Sequence, residues 1–199
     1  APGKVVILGG GSVVVSAAAM AIGLRADVTL LDINLKRLGE IDEMFHGQVK
    51  TVASSPYAIE EHCMQADLVV GGVLIPGAAA PKLVTDAMVA KMKPGSVLVD
   101  VAIDQGGCFE TSVPTTHTEP TYEIDGVIHY CVANMPGGVP RTSTLALNNA
   151  TLPFLVKLAN KGYQKALGED KNFLAGLNVH KGHVTYKAVA DVFGHDYVA

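Results

Sequence analysis

Three consecutive glycines, Gly9-Gly10-Gly11, and a carboxylate 21 residues beyond them, Asp32, are the residues whose types and spacing most directly imply chemistry. Gly9 permits a sharp bend. Gly11 lets the backbone approach a pyrophosphate, whose charge is favoured at the N-terminus of a following helix. Ser12 is placed to cap that helix. An acid at the Asp32 spacing can bind both hydroxyls of a ribose and repels a 2′-phosphate, which predicts NAD rather than NADP. Arg37 could favour a phosphate, but a solvated surface charge is the reading preferred for it. A strand–helix turn without a ligand also explains the glycines; Asp32 shifts the balance towards a nucleotide site.

One position departs from the pattern G-x-G-x-x-G, which asks for glycine where this chain has Val14. The third glycine allows close packing of helix on strand. Overpacking commonly costs about 1–3 kcal/mol, and the run Val13-Val14-Val15 lowers helix propensity. The expectation is a helix held off the sheet and weakened cofactor binding.

Three further loops carry polar or flexible residues where ligands sit in such folds. Gly71-Gly72-Val73-Leu74-Ile75-Pro76-Gly77 can pass close to a cofactor or be an ordinary loop. Asp104, in Asp100–Gly107, can orient a reactive centre or can bind its own backbone in a turn. Asn134, in Val132–Gly137, can hydrogen-bond a cofactor or close a turn.

The elements that must hold these loops follow from apolar patterning. Strands are expected at Val5–Leu8, Val28–Leu31, Val49–Val52, Leu68–Val70, Val97–Val99 and Ile128–Val132. Helices are expected near Val13–Leu24, Leu35–Phe45, Pro56–Gln65 and Asp86–Met92. Such alternation, with right-handed crossovers, predicts an α/β fold: a doubly wound parallel sheet of the Rossmann type. From Ser143 to Leu167 the texture becomes a long helical pattern that Pro153 should kink or split, and a short helix is expected near Lys187–Phe193. The division expected is a nucleotide-binding domain over 1–140 and a helical C-terminal extension over 141–199.

Composition narrows the functional classes. A net charge of −4, with no basic run, argues against broad nucleic-acid or anionic-membrane binding. No apolar run approaches the roughly 20 residues of a membrane span, and Lys4 followed by a short strand and glycines is not the pattern of a secretory leader. Cys63, Cys108 and Cys131 are too few and scattered for a disulfide framework or zinc site and suit a reducing compartment, so a cytoplasmic location is expected. His180 and His183 have a possible metal spacing but no evident carboxylate or thiolate partner, so no metal site is expected. His117 and His129 have no partner named by spacing, and Cys108 is read as a buried, inert thiol.

Taken together, the loops resemble the C-terminal part of bacterial alanine dehydrogenases. The resemblance is carried by Val5–Gly11, Leu31-Asp32-Ile33-Asn34, Ala66-Asp67-Leu68-Val69, Val73-Leu74-Ile75-Pro76-Gly77, Ala80-Pro81-Lys82-Leu83-Val84, Met92-Lys93-Pro94-Gly95-Ser96, Asp100–Gly107, Val132–Pro136 and Arg141-Thr142-Ser143-Thr144. It implies reversible NAD-dependent deamination of L-alanine to pyruvate and ammonia. It implies a pyrophosphate turn at Gly9, Gly11, Ser12 and Val13, a ribose acid at Asp32, further cofactor contacts at Ser54, Val73, Leu74, Asn134 and Met135, and a catalytic aspartate at Asp104. It also implies a homo-oligomer, commonly a hexamer. The family's N-terminal substrate lobe, with its arginine, lysine and histidine, has no matching positions here. The resemblance therefore implies a chain that binds NAD(H) weakly and does not turn over alanine by itself, with an extension that packs on that lobe.

Two other readings compete. The NAD(H)-binding component of a proton-translocating transhydrogenase shares the Pro-Gly-x-x-Ala-Pro-Lys-Leu and Met-Lys-Pro-Gly-Ser segments, but typically lacks an acid at the Asp104 position. A non-enzymatic nucleotide-binding module would tolerate Val14 because it has no need of the cofactor.

Overall fold

The computed structural model describes residues 1–73, 75 and 80–198. Contacts divide the chain into two compact units, Ala1–Met135 and Pro136–Ala199.

The first unit is built by alternation of strand and helix: β1 (Lys4–Leu8), α1 (Ser12–Gly23), β2 (Asp27–Asp32), α2 (Leu35–Phe45), β3 (Val49–Ala53), α3 (Pro56–Cys63), β4 (Leu68–Gly71), α4 (Asp86–Val89), β5 (Val97–Asp100), β6 (Thr121–Ile124) and β7 (Val127–Tyr130). The sheet order is β3-β2-β1-β4-β5-β7-β6, parallel except for the β6–β7 pair. The chain moves outward from β1 to β3, then returns to place β4 on the other side of β1. The crevice between the carboxyl ends of β1 and β4 is therefore the topological switch point where such sheets bind ligands.

Both faces of the central strands are covered, so they need apolar residues at every position. Val5 and Ile7 join Val28, Leu30 and Val70 in one core with Val14, Ala18, Ala21, Leu38 and Ile41 from α1 and α2. Val6 and Leu8 join Leu31, Val69 and Leu98 in the other, with Ile59, Cys63, Val84, Val89 and Phe109. Each fully buried aliphatic side chain stabilises by about 1.5–3 kcal/mol. Helix starts follow local chemistry: Asn34, Ser55 and Thr85 cap α2, α3 and α4 by accepting from the backbone N–H groups of Arg37, Ala58 and Met88.

The sheet carries a strand that hydrophobic patterning did not reveal. Thr121–Ile124 pairs antiparallel with Val127–Tyr130 across a two-residue turn, Asp125-Gly126, with φ of 51° and 78°. Two left-handed residues make the turn that matches the twist of a hairpin, and Asp-Gly supplies them at low cost. The sixth strand expected at Ile128–Val132 runs instead from Val127 to Tyr130, because the hairpin sets its start.

The second unit contains α5 (Pro140–Lys161), α6 (Tyr163–Gly168), α7 (Lys171–Leu174), a two-stranded hairpin of β8 (Val179–His180) and β9 (His183–Val184), and α8 (Lys187–Phe193). Of the kink or split expected at Pro153, the split is corrected: α5 continues through Pro153, and the break falls at Gly162, with φ 71° and ψ 155°. That backbone conformation is open to glycine and ends the helix. Among the described residues no helix is long and apolar enough to cross a membrane.

Candidate functional site

The glycine turn leaves β1 beneath a bonded frame. The Gly9 N–H donates to the Leu31 carbonyl at 2.8 Å, and Gly9 adopts φ 108°. A Cβ there would meet Val73 Cγ2 at 3.1 Å. Gly10 is equally constrained: a Cβ would lie 2.9 Å from Arg37 Cγ, 3.0 Å from Asp32 Oδ2 and 3.3 Å from Ile41 Cδ1. Gly11 is different, since no atom lies within 4 Å of its Cβ position. Space that the protein leaves open at Gly11 is available to a ligand.

The cap of α1 corrects an expectation. Gly11, not Ser12, is the N-cap, and no side chain caps the helix. Ser12 is the first helical residue, and its carbonyl accepts from the Ser16 hydroxyl. The first helical bond runs from Val15 N–H to the Gly11 carbonyl at 3.1 Å. The amides of Ser12, Val13 and Val14 thus precede the intrahelical ladder and suit an anion, aided by the helix dipole. Gly11, Ser12 and Val13 are exposed, whereas Val14 is fully buried.

Asp32 ends β2 half-buried beside this turn. Its Oδ1 accepts from Asn34 N–H at 2.7 Å, which fixes the carboxylate, and its Oδ2 faces Gly10. Its carbonyl accepts from Ser54 N–H at 2.9 Å, so Ser54 stands next to it at the end of β3. Arg37 is not the free surface charge expected from sequence. Its Nε donates to the Gly10 carbonyl at 2.8 Å and its Nη1 pairs with Glu40 at 2.9 Å. The first turn of α2 points Arg37 back over the glycine turn, a placement that its position three residues after the Asn34 cap could have suggested.

Val73 follows β4 and is half-buried against Gly9. Leu74 lies outside the described residues. Asp104 sits exposed in a 3-10 turn, Ile103–Gln105, after β5. Its Oδ2 is 3.4 Å from the N–H of Asn134, which follows β7 and is exposed with φ 55°. Met135 is half-buried beside it. The structure therefore gathers Gly9, Gly11, Ser12, Val13, Asp32, Ser54 and Val73 around the carboxyl ends of β1 to β4, and joins Asp104 to Asn134 at the ends of β5 and β7.

The loop bearing Asp104 is held by residues that sequence reasoning passed over. Asp100 is fully buried and accepts from Ala102 N–H at 3.1 Å, Cys108 N–H at 2.8 Å, Phe109 N–H at 3.4 Å and the Ser112 hydroxyl. Lys82 Nζ donates to the Gly106 and Phe109 carbonyls. Cys108 lies inside this frame, where burial pushes its thiol up to about 11, so it is protonated at neutral pH. Beneath, His129 is fully buried with Nε2 2.7 Å from the Thr111 hydroxyl, stacked on Tyr122. His180 contacts the Tyr163 hydroxyl and pairs with His183 across the β8–β9 hairpin. No group of three metal-ligating side chains occurs among the described residues.

Comparison with known proteins places this geometry. A family model described as alanine dehydrogenase/PNT, C-terminal domain, matches residues 1–187. The chain belongs to this family. It is 63% identical over 198 residues to an alanine dehydrogenase of Halomonas elongata, covering 100% of this chain and 53% of that protein. It is 58% identical over 196 residues to alanine dehydrogenase 2 of Staphylococcus aureus, covering 98% of this chain and 53% of that one. The chain thus spans about half the length of the curated relatives it matches. Among solved structures, an L-alanine dehydrogenase superposes with a TM-score of 0.88 at 53% identity, covering 97% of this chain and 53% of that one. A transhydrogenase from Sinorhizobium meliloti superposes less closely, with a TM-score of 0.68 at 27% identity, covering 94% and 51%. Within the family, the chain stands nearer the alanine dehydrogenases than that transhydrogenase.

Proposed function

We propose that this chain supplies the NAD-binding part of an L-alanine dehydrogenase, which interconverts L-alanine with pyruvate and ammonia. The observation that carries the reading is Asp32, fixed at the end of β2 beside an open Gly11 and the free amides of α1, in a chain 63% identical to an alanine dehydrogenase.

The residues divide the binding work. The amides of Ser12, Val13 and Val14 meet the pyrophosphate. Asp32 takes the adenosine ribose and excludes a 2′-phosphate. Arg37 does not reverse that choice, because its Nε and Nη1 are already engaged by Gly10 and Glu40. Ser54 and Val73 line the middle of the cofactor, and Asn134 and Met135 its nicotinamide end. When bound, NAD supplies the hydride acceptor for the α-carbon of alanine. Asp104 orients the base that takes up the proton. A carboxylate cannot also hold the substrate carboxylate, so that grip belongs to the part of the relatives' length that this chain does not span.

The reading extends to a cytoplasmic homo-oligomer, with a domain of 1–140 and an extension of 141–199 that packs on the substrate lobe. The cytoplasmic assignment is supported by three free, buried cysteines, and the hexamer by the resemblance. The test is to add NADH to this chain and displace it with NAD, then supply L-alanine and NAD together. Displaceable binding without alanine-dependent NADH formation is expected. Absence of binding overturns the cofactor assignment, and NADH formation by these 199 residues overturns the division of labour.

A further inference from the structure

His117 is an exposed side chain that the site described so far does not use. Its position is nevertheless fixed by the backbone. The segment leading to it runs beside the extension of β7: Thr115 N–H donates to the Cys131 carbonyl at 2.9 Å, and Ala133 N–H donates to the Thr115 carbonyl at 3.0 Å. The Thr115 hydroxyl then donates to the Pro120 carbonyl at 2.9 Å, closing the turn that presents His117. From there His117 Nε2 reaches the Asn134 carbonyl at 3.0 Å. A carbonyl only accepts, so Nε2 carries the hydrogen.

Asn134 is thus held at both ends of its backbone. Its N–H faces Asp104 Oδ2 at 3.4 Å, its carbonyl takes the His117 bond, and its φ of 55° lies in the left-handed region. Asparagine tolerates that region better than most residues, and the two bonds fix the orientation of its peptides within it. The Asp104 bond is long, so the His117 bond is the stronger constraint on this peptide.

We propose that His117 is a positioning residue for the nicotinamide end of the site, acting through the Asn134 backbone on the Asn134–Asp104 pair. The inference rests on the reading of Asp104 and Asn134 as residues of that end. It predicts a selective effect. His117→Ala releases the Asn134 carbonyl while leaving untouched the glycine turn and Asp32, which follow β1 and end β2 in the other half of the strand order. His117→Gln keeps a donor at the Nε2 position.

The experiment is calorimetric titration of NADH and of ADP-ribose, which lacks the nicotinamide, into this chain and both variants. The unsubstituted chain is expected to bind both. His117→Ala is expected to weaken NADH by about fivefold, the loss of one ordinary hydrogen bond, with ADP-ribose unchanged and His117→Gln close to the unsubstituted chain. Unchanged NADH affinity in His117→Ala, equal weakening of both ligands, or failure of His117→Gln to restore binding would each overturn the inference alone. Absence of binding of either ligand by the unsubstituted chain would overturn the functional reading and this inference with it.

Discussion

Val14 Cγ1 lies 2.3 Å from the point where a Cβ on Gly72 would sit. The two residues fit only as a pair, one large and one without a side chain. The expected picture of α1 held off the sheet is therefore not how the valine is housed. Val14 is fully buried, and its bulk enters the space left by Gly72 after β4. Gly72→Ala is expected to destabilise the fold by about 1–3 kcal/mol through overpacking. In a Val14→Ala background the same change is expected to cost much less, because the clashing methyl groups are gone. Denaturant unfolding of the four proteins gives the coupling energy. Additive effects of the two substitutions would contradict the pairing.

Arg37 ties α2 to the glycine turn through the Gly10 carbonyl. Arg37→Ala is expected to let that turn relax and to weaken NADH binding by about fivefold to tenfold, the range of one charge-assisted hydrogen bond after partial exposure. Arg37→Lys should not restore it, because an ammonium lacks the planar Nε–H that reaches Gly10 while Nη1 holds Glu40. Calorimetric titration checks this. Full affinity in either variant would show that the bond does not shape the site.

His129 makes the stability of the first unit pH-dependent. It is fully buried, and burial pulls its pKa below the ordinary imidazole value, with the Val127 carbonyl and Asp100 opposing the shift. Its Nδ1 lies 3.0 Å from the Val127 carbonyl and so carries the hydrogen, leaving Nε2 to accept from Thr111. Unfolded histidine protonates near pH 6.5, at roughly the reference value, whereas the folded residue does so only at lower pH. The contribution is therefore fully present above about pH 6.5 and is lost as pH falls through the folded pKa. The urea midpoint is expected to fall between about pH 7.5 and 5.5, and His129→Gln should flatten that dependence. Identical slopes would assign the effect to other groups.

The readable part of this chain was the part governed by local rules. Strands β1, β4 and β5 are apolar at successive positions because both sheet faces are covered there, whereas the edge strand β3 carries Lys50 and Thr51, and the helices between them show in their periodicity and caps. Asp32 was legible because strand length fixes where an acid falls at the end of β2. Asp100, Lys82 and His117 were not legible, because each acts through a backbone carbonyl or amide distant in sequence, and no spacing rule names such a partner; for Arg37 the Asn34 cap gave the direction but not the Gly10 carbonyl it reaches. Thr121–Ile124 escaped because four residues containing one charge show little alternation, although Asp125-Gly126 was a turn signal. Ser12 was misread as a cap since glycine at the preceding position can fill that role without a side chain. Pro153 was overweighted as a breaker, while Gly162 carried the backbone conformation that ends α5.

The central claim is that Asp32 and the glycine turn make this chain an NAD(H) site. Titration of NADH and NADPH into the chain and into Asp32→Ala tests it most directly. The account predicts saturable NADH binding, at least about tenfold tighter than NADPH, and loss of about tenfold or more in NADH affinity with Asp32→Ala, as charge-assisted bonds to the ribose disappear. No saturable binding of NADH by the unsubstituted chain, or equal NADH affinity in Asp32→Ala, would contradict it.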